Sequence, residues 1–76
     1  MSWNYRIIKT EIEEGFELTI REVYYDETGK LIGYSQEPDY VYATNEDENP
    51  SESLSWQLDR MKESLEKPIL TLGDFK

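Results

Sequence analysis

The chain contains no cysteine and no histidine. Without cysteine there is neither a disulfide nor a thiolate metal ligand, which fits a reducing compartment. Without histidine, the commonest general base at neutral pH and the commonest metal ligand are both missing. Long apolar runs are absent as well. No stretch approaches the roughly 20 residues of a membrane span, and the start Met1-Ser2-Trp3-Asn4 lacks the basic-then-apolar layout of a signal peptide. These absences lead us to expect a cytoplasmic protein that is not an enzyme, with no metal, no cofactor and no membrane partner.

Positive charge is the other scarcity. Eight lysines and arginines face 17 acids, a net charge of −9, which repels nucleic acid and anionic lipid and suits either solubility or a basic partner. Between Lys30 and Arg60 there is no basic residue, while Glu37, Asp39, Glu46, Asp47, Glu48, Glu52 and Asp59 fall inside. One sector is strongly negative. With 76 residues the chain makes a single domain, 1–76, with at most one small core.

The most regular stretch is Phe16 to Ser35. Phe16, Leu18 and Ile20 alternate with polar residues at the period of a strand, and Val23, Tyr24 and Tyr25 extend it. Asp26-Glu27-Thr28-Gly29-Lys30 then supplies a side chain that bonds its own following backbone and a glycine for the positive φ that ends such a turn. Leu31, Ile32 and Tyr34 return. The apolar phase switches between Ile20 and Val23, so either a bulge resets it near Arg21-Glu22 or both faces are partly covered. Earlier, Trp3, Tyr5 and Ile7 alternate with polar residues as a first strand, and Glu11 to Gly15 reads as the first hairpin connection, with Ile12 able to prolong either strand.

Asn49-Pro50-Ser51-Glu52 announces a helix, with Asn49 or Ser51 as cap and proline at the first position. Leu54, Leu58, Met61 and Leu65 follow at spacings that form one stripe, Trp56 lies off it, and Pro68 forbids continuation. These elements predict an α+β fold: an antiparallel three-stranded meander (3–10, 16–25, 30–35) with one helix (50–67) on one face, and candidate short strands near 40–43 and 69–72. A buried stripe would make Leu58→Ala cost about 2–5 kcal/mol.

Trp3-Asn4-Tyr5-Arg6, Glu22-Val23-Tyr24-Tyr25-Asp26-Glu27 with Gly29, and Lys67-Pro68-Ile69-Leu70 together resemble a family of short bacterial proteins of unassigned activity. The likeness spans nearly the whole chain and implies the order strand, hairpin, acidic loop, helix. The position before Glu22 is often histidine in that family and is Arg21 here, so the resemblance carries no activity onto this chain.

Other patterns have bland readings beside them. Asn45-x-Asp47-x-Asn49 has the spacing of a calcium loop, but Pro50 stands at its sixth position and Trp56 at its twelfth, where glycine and a bidentate glutamate belong. Glu11, Glu13, Glu14 and Glu17, or Glu37 with Asp39, offer carboxylate pairs, although nothing in the sequence marks them as buried. The tyrosines stand out, because one helix covers only one sheet face and aromatics are enriched at interfaces. The expected function is a small acidic interaction module that binds a protein partner, or itself as a homodimer, through a tyrosine-rich sheet face. Tyr25, Tyr34, Tyr40, Tyr42, Glu46, Asp47 and Glu48 are the candidate contacts. The alternative is an acidic decoy that occupies a nucleic-acid site on a basic protein, which needs carboxylates spaced along a surface like phosphates.

Overall fold

Two eleven-residue strands form the backbone of the molecule. In the computed structural model, which describes all 76 residues, β1 (Ser2–Ile12) and β2 (Gly15–Tyr25) pair antiparallel from Ser2↔Tyr25 to Ile12↔Gly15. The connection is only Glu13-Glu14, and Ile12 completes β1. Gly15, at φ 145°, takes a conformation that side-chain-bearing residues rarely adopt. After Tyr25 the turn closes on Asp26, whose Oδ1 accepts from the Thr28 amide at 2.9 Å, the Thr28 hydroxyl at 2.7 Å and the Lys30 amide at 2.9 Å. β3 (Leu31–Tyr34) then pairs antiparallel with β2.

Because the ladder between β1 and β2 is unbroken, no bulge resets the phase at Arg21-Glu22; both faces of the sheet are covered instead. Partners in register share a face. Ile8 and Val23 therefore lie on one side, where Leu70 completes a buried cluster and Tyr25, Leu31, Tyr34 and Phe75 pack around it. That side is roofed by the C-terminal tail: β4 (Leu70–Thr71) adds parallel to β1 through Ile8↔Leu70 and Lys9↔Thr71, and a 3-10 turn over Leu72–Phe75 follows. The sheet is thus four-stranded and mixed, in the order β3-β2-β1-β4, rather than a three-stranded antiparallel meander. Residues 40–43 are not a strand.

The opposite side carries Trp3, Tyr5, Ile7, Leu18, Ile20 and Glu22. Across its end nearest Trp3 lies α1 (Pro50–Glu63), capped by Asn49, whose side chain accepts from the Glu52 amide at 3.2 Å. A 3-10 turn over Ser64–Glu66 ends it before Pro68, so the α-helix stops short of residue 67. No helix is long and apolar enough to cross a membrane.

The inward row of the helix differs from the leucine stripe. Met61 is 7% exposed and Ser64 fully buried, whereas Leu58 is 56% and Leu65 66% exposed. The sheet-facing row runs Leu54, Gln57, Met61, Ser64, which turns the helix by roughly 60° from the orientation the leucines imply. Two contacts explain the rotation. Gln57 clamps the backbone of Tyr42, accepting from its amide at 3.3 Å and donating to its carbonyl at 2.8 Å. Ser64, small and bonded through its hydroxyl to the Met61 carbonyl, is the residue buried nearest the helix end. Leu58→Ala is accordingly not a core deletion.

The body is open for its mass. Its accessible surface is 5853 Å², against roughly 4,900 Å² for a compact monomer of 9.0 kDa. The radius of gyration is 13.9 Å, where about 11 Å is usual for this length. The far end of the hairpin contributes to the difference, with Ile12, Phe16 and Leu18 about half exposed there, as does the exposed loop over residues 44–49.

Candidate functional site

The loop after β3 builds the deepest polar corner of the molecule. Ser35 still donates its amide to the Glu22 carbonyl at 2.9 Å; the chain then loops out over Gln36-Glu37-Pro38 and returns to the same edge of β2, where the Asp39 amide reaches the Ile20 carbonyl at 2.9 Å. Asp39 Oδ2 satisfies what the departing strand leaves open, accepting from the Glu22 amide at 2.8 Å and the Ser35 hydroxyl at 2.9 Å. Arg21, on the other face, ties the loop-out down through the carbonyls of Ser35 at 3.0 Å and Gln36 at 2.7 Å.

From Asp39 the chain crosses toward α1. Tyr40 and Tyr42 bring their rings to 5.5 Å, and the Gln57 clamp fixes Tyr42 against the helix. A cavity of about 320 Å³ is left between the two elements, with Tyr5 and Glu22 as its floor, Asp39 at the β2 edge, Tyr40 and Tyr42 along the loop wall and Trp56 along the helix wall. Tyr5 and Glu22 meet there because they are register partners.

Charge in this corner is one-sided. Burial, with the hydrogen bond and the negative charge of Asp39 behind it, raises the Glu22 carboxyl above its ordinary value, while the Tyr24 hydroxyl, donating at 3.2 Å, pulls the other way. Burial and the charges of Asp39 and Glu22 push the Tyr5 hydroxyl up. The ion pairs of the molecule are Lys9 with Glu11 at 3.8 Å and Arg60 with Glu63 at 3.4 Å, so neither Glu22 nor Asp39 has a basic partner.

The residues marked by sequence divide between two sides. Tyr25 is half-buried under the tail, its hydroxyl donating to Asn4 Oδ1 at 2.8 Å and accepting from Arg6 at 3.1 Å. Tyr34 packs on Phe75 at 4.9 Å on that same side. No open tyrosine face exists there, because β4 and the last 3-10 turn cover it. Tyr40, 74% exposed, and Tyr42, 61% exposed, lie across the sheet on the helix side. Glu46, Asp47 and Glu48 follow in a tight turn, with Asp47 on the cavity rim and its carboxylate accepting from the Thr44 amide at 2.8 Å. Asp47 and Asn49 serve separate local bonds, to Thr44 and to the helix start, and do not converge on a common centre. Asp39 pairs with Glu22, not with Glu37.

Sequence reasoning missed Tyr5, Glu22 and Trp56 as one group. The Tyr5–Glu22 pairing was recoverable only from a correct two-residue turn, and Trp56 only from the rotated helix.

A second surface lies on the other flank of α1. Trp56, Arg60 and Glu63 line the side toward Trp3; helical spacing puts Leu58 and Leu65 on the side toward the hairpin tip. Phe16 and Leu18 are exposed on the sheet face that carries the helix, and with Leu58 and Leu65 they make up the exposed apolar residues of this flank, its apolar corner.

Comparison with known protein families, curated proteins and solved structures finds no match to this chain.

Proposed function

We propose that the protein is a non-catalytic interaction module that works as a homodimer, each copy laying its projecting hairpin into the apolar corner of the other. The observation that carries this reading is the surplus surface, about 1,000 Å² beyond a compact monomer. An isologous dimer of ordinary size buries about 800–1,000 Å² per partner. The apolar residues needed are Leu58 and Leu65 on the helix and Phe16 and Leu18 on the arm, all exposed. Charge supports the pairing as well. Lys62 borders the two leucines, whereas Glu11, Glu13, Glu14 and Glu17 crowd the hairpin tip, so a crossed arrangement sets unlike charges together. The absence of histidine and cysteine supports a non-catalytic role.

Sedimentation equilibrium tests it. The parent chain should sediment as a dimer at micromolar concentration, and Leu58→Asp combined with Leu65→Asp should give a folded monomer, since both positions already face water. A parent chain that stays monomeric at several hundred micromolar would overturn the reading.

A further inference from the structure

We propose that the cavity between Tyr5, Glu22, Asp39, Tyr40, Tyr42 and Trp56 is a binding site for an organic ammonium cation, of the kind carried by a lysine side chain or a quaternary amine. The site lies on the opposite flank of α1 from the apolar corner, so it stands whether or not the chain dimerises.

Three features converge. First, Glu22 and Asp39 sit side by side in a partly buried corner without a basic partner, and a cation entering there relieves their mutual repulsion. Second, four aromatic rings, Tyr5, Tyr40, Tyr42 and Trp56, line the cavity beside its carboxylates, with the polar Asp47, Ser53 and Gln57 completing the wall. Ring faces attract cations through their quadrupole, most strongly where water is displaced, and indole is the best of them. Trp56 already engages a cation in this way, with the Arg60 guanidinium 5.8 Å from the ring centre. Third, the cavity volume of about 320 Å³ is ample for an ammonium head group and the start of its alkyl chain.

Other ligand classes fit less well. An anion meets two carboxylates. A calcium ion takes six to eight oxygen ligands, and no three acidic side chains converge here, while Asp39 Oδ2 is already committed to two donors. A neutral apolar molecule would leave the carboxylates dry and uncompensated. A weakly hydrated ammonium cation uses both halves of the lining.

The test is a titration of the full chain followed by tryptophan fluorescence and by the amide and indole resonances of Trp56. Tetramethylammonium chloride is the probe, with sodium chloride at equal ionic strength and the neutral isostere tert-butanol as controls. The expected result is a saturable response to tetramethylammonium and none to either control. Glu22→Gln should weaken it by about tenfold and Tyr42→Leu by severalfold; Glu48→Gln should leave it unchanged. Tyr42 is exposed, so its substitution keeps the fold, and circular dichroism verifies both variants. Nα-acetyl-lysine amide and its ε-trimethylated form distinguish the sources: tighter binding of these than of tetramethylammonium assigns the site to a protein side chain, the reverse order to a free small amine. A response to tert-butanol equal to that of the cation, no saturable response to any cation, or an unchanged titration in Glu22→Gln overturns the proposal.

Discussion

Two acidic residues show how position sets the sign of a charge's effect. Glu22 faces Asp39 and the hydroxyls of Tyr5 and Tyr24, and its carboxyl is raised in the folded state, first by burial and then by Asp39. A carboxyl raised on folding favours the folded state at low pH, and that contribution is lost as pH climbs from the ordinary glutamate range through the raised value. Glu22→Gln is therefore expected to raise Tm at pH 7, with the gain fading toward zero below about pH 4, where glutamate is neutral in both states. A thermal scan at the two pH values checks it. Asp26 behaves in the opposite way. Hydrogen bonds from Thr28 and Lys30 hold its carboxyl below the ordinary value, so its contribution is present above the usual aspartate range and fades as pH falls through the lowered one. Asp26→Ala should lower Tm at pH 7 and lose its effect in strong acid.

At the scale of elements, the helix carries the clearest prediction. Met61 is buried against the sheet and Leu58 is not. In a denaturant melt at a concentration where the chain is monomeric, Met61→Ala should cost about 2–4 kcal/mol, while Leu58→Ala should stay within about 0.5 kcal/mol. Equal losses at both sites would mean that the helix packs on its leucine stripe after all. The contrast also marks what could be read from the chain. The order of the elements, the helix start and the second turn were legible, because Asn49-Pro50 and Asp26 to Gly29 act within a few residues of themselves; the end of β1 at Ile12 and of the α-helix at Glu63 were not. The rotation of the helix was not, since Gln57 finds its partner in Tyr42 and Ser64 finds its place against β1, contacts that no local spacing announces. The phase switch at Arg21-Glu22 was visible, yet choosing between a bulge and two covered faces required the tail, which returns from about fifty residues downstream. For the candidate site, Tyr40, Tyr42 and Asp47 were legible from composition. Their association with Tyr5, Glu22 and Trp56 depends on strand register and helix rotation together.

For the molecule as a whole, surface and charge make separate predictions. The proposed self-association through Leu58, Leu65, Phe16 and Leu18 is mainly apolar, with Lys62 against the acidic hairpin tip at its rim, so the dimer constant should weaken only severalfold between low and moderate salt, and neutralising Glu46 and Glu48 with glutamine should leave it intact. Steep salt dependence would instead favour the acidic sector as the contact. The decoy reading gains least support from the geometry, because Glu46, Asp47 and Glu48 share one tight turn instead of following a line. The sheet order has a further consequence, for the birth of the protein. β1, made first, sits between β2 and β4, and Ile8 waits for Leu70 across nearly the full length of the chain. Everything up to Thr71 must therefore leave the ribosome before that strand is enclosed on both edges, so the sheet should close late, after its hairpin and helix have formed. A stalled nascent chain cut at Pro68 and followed by an unstructured linker long enough to span the exit tunnel should remain sensitive to protease even though its hairpin and helix are outside.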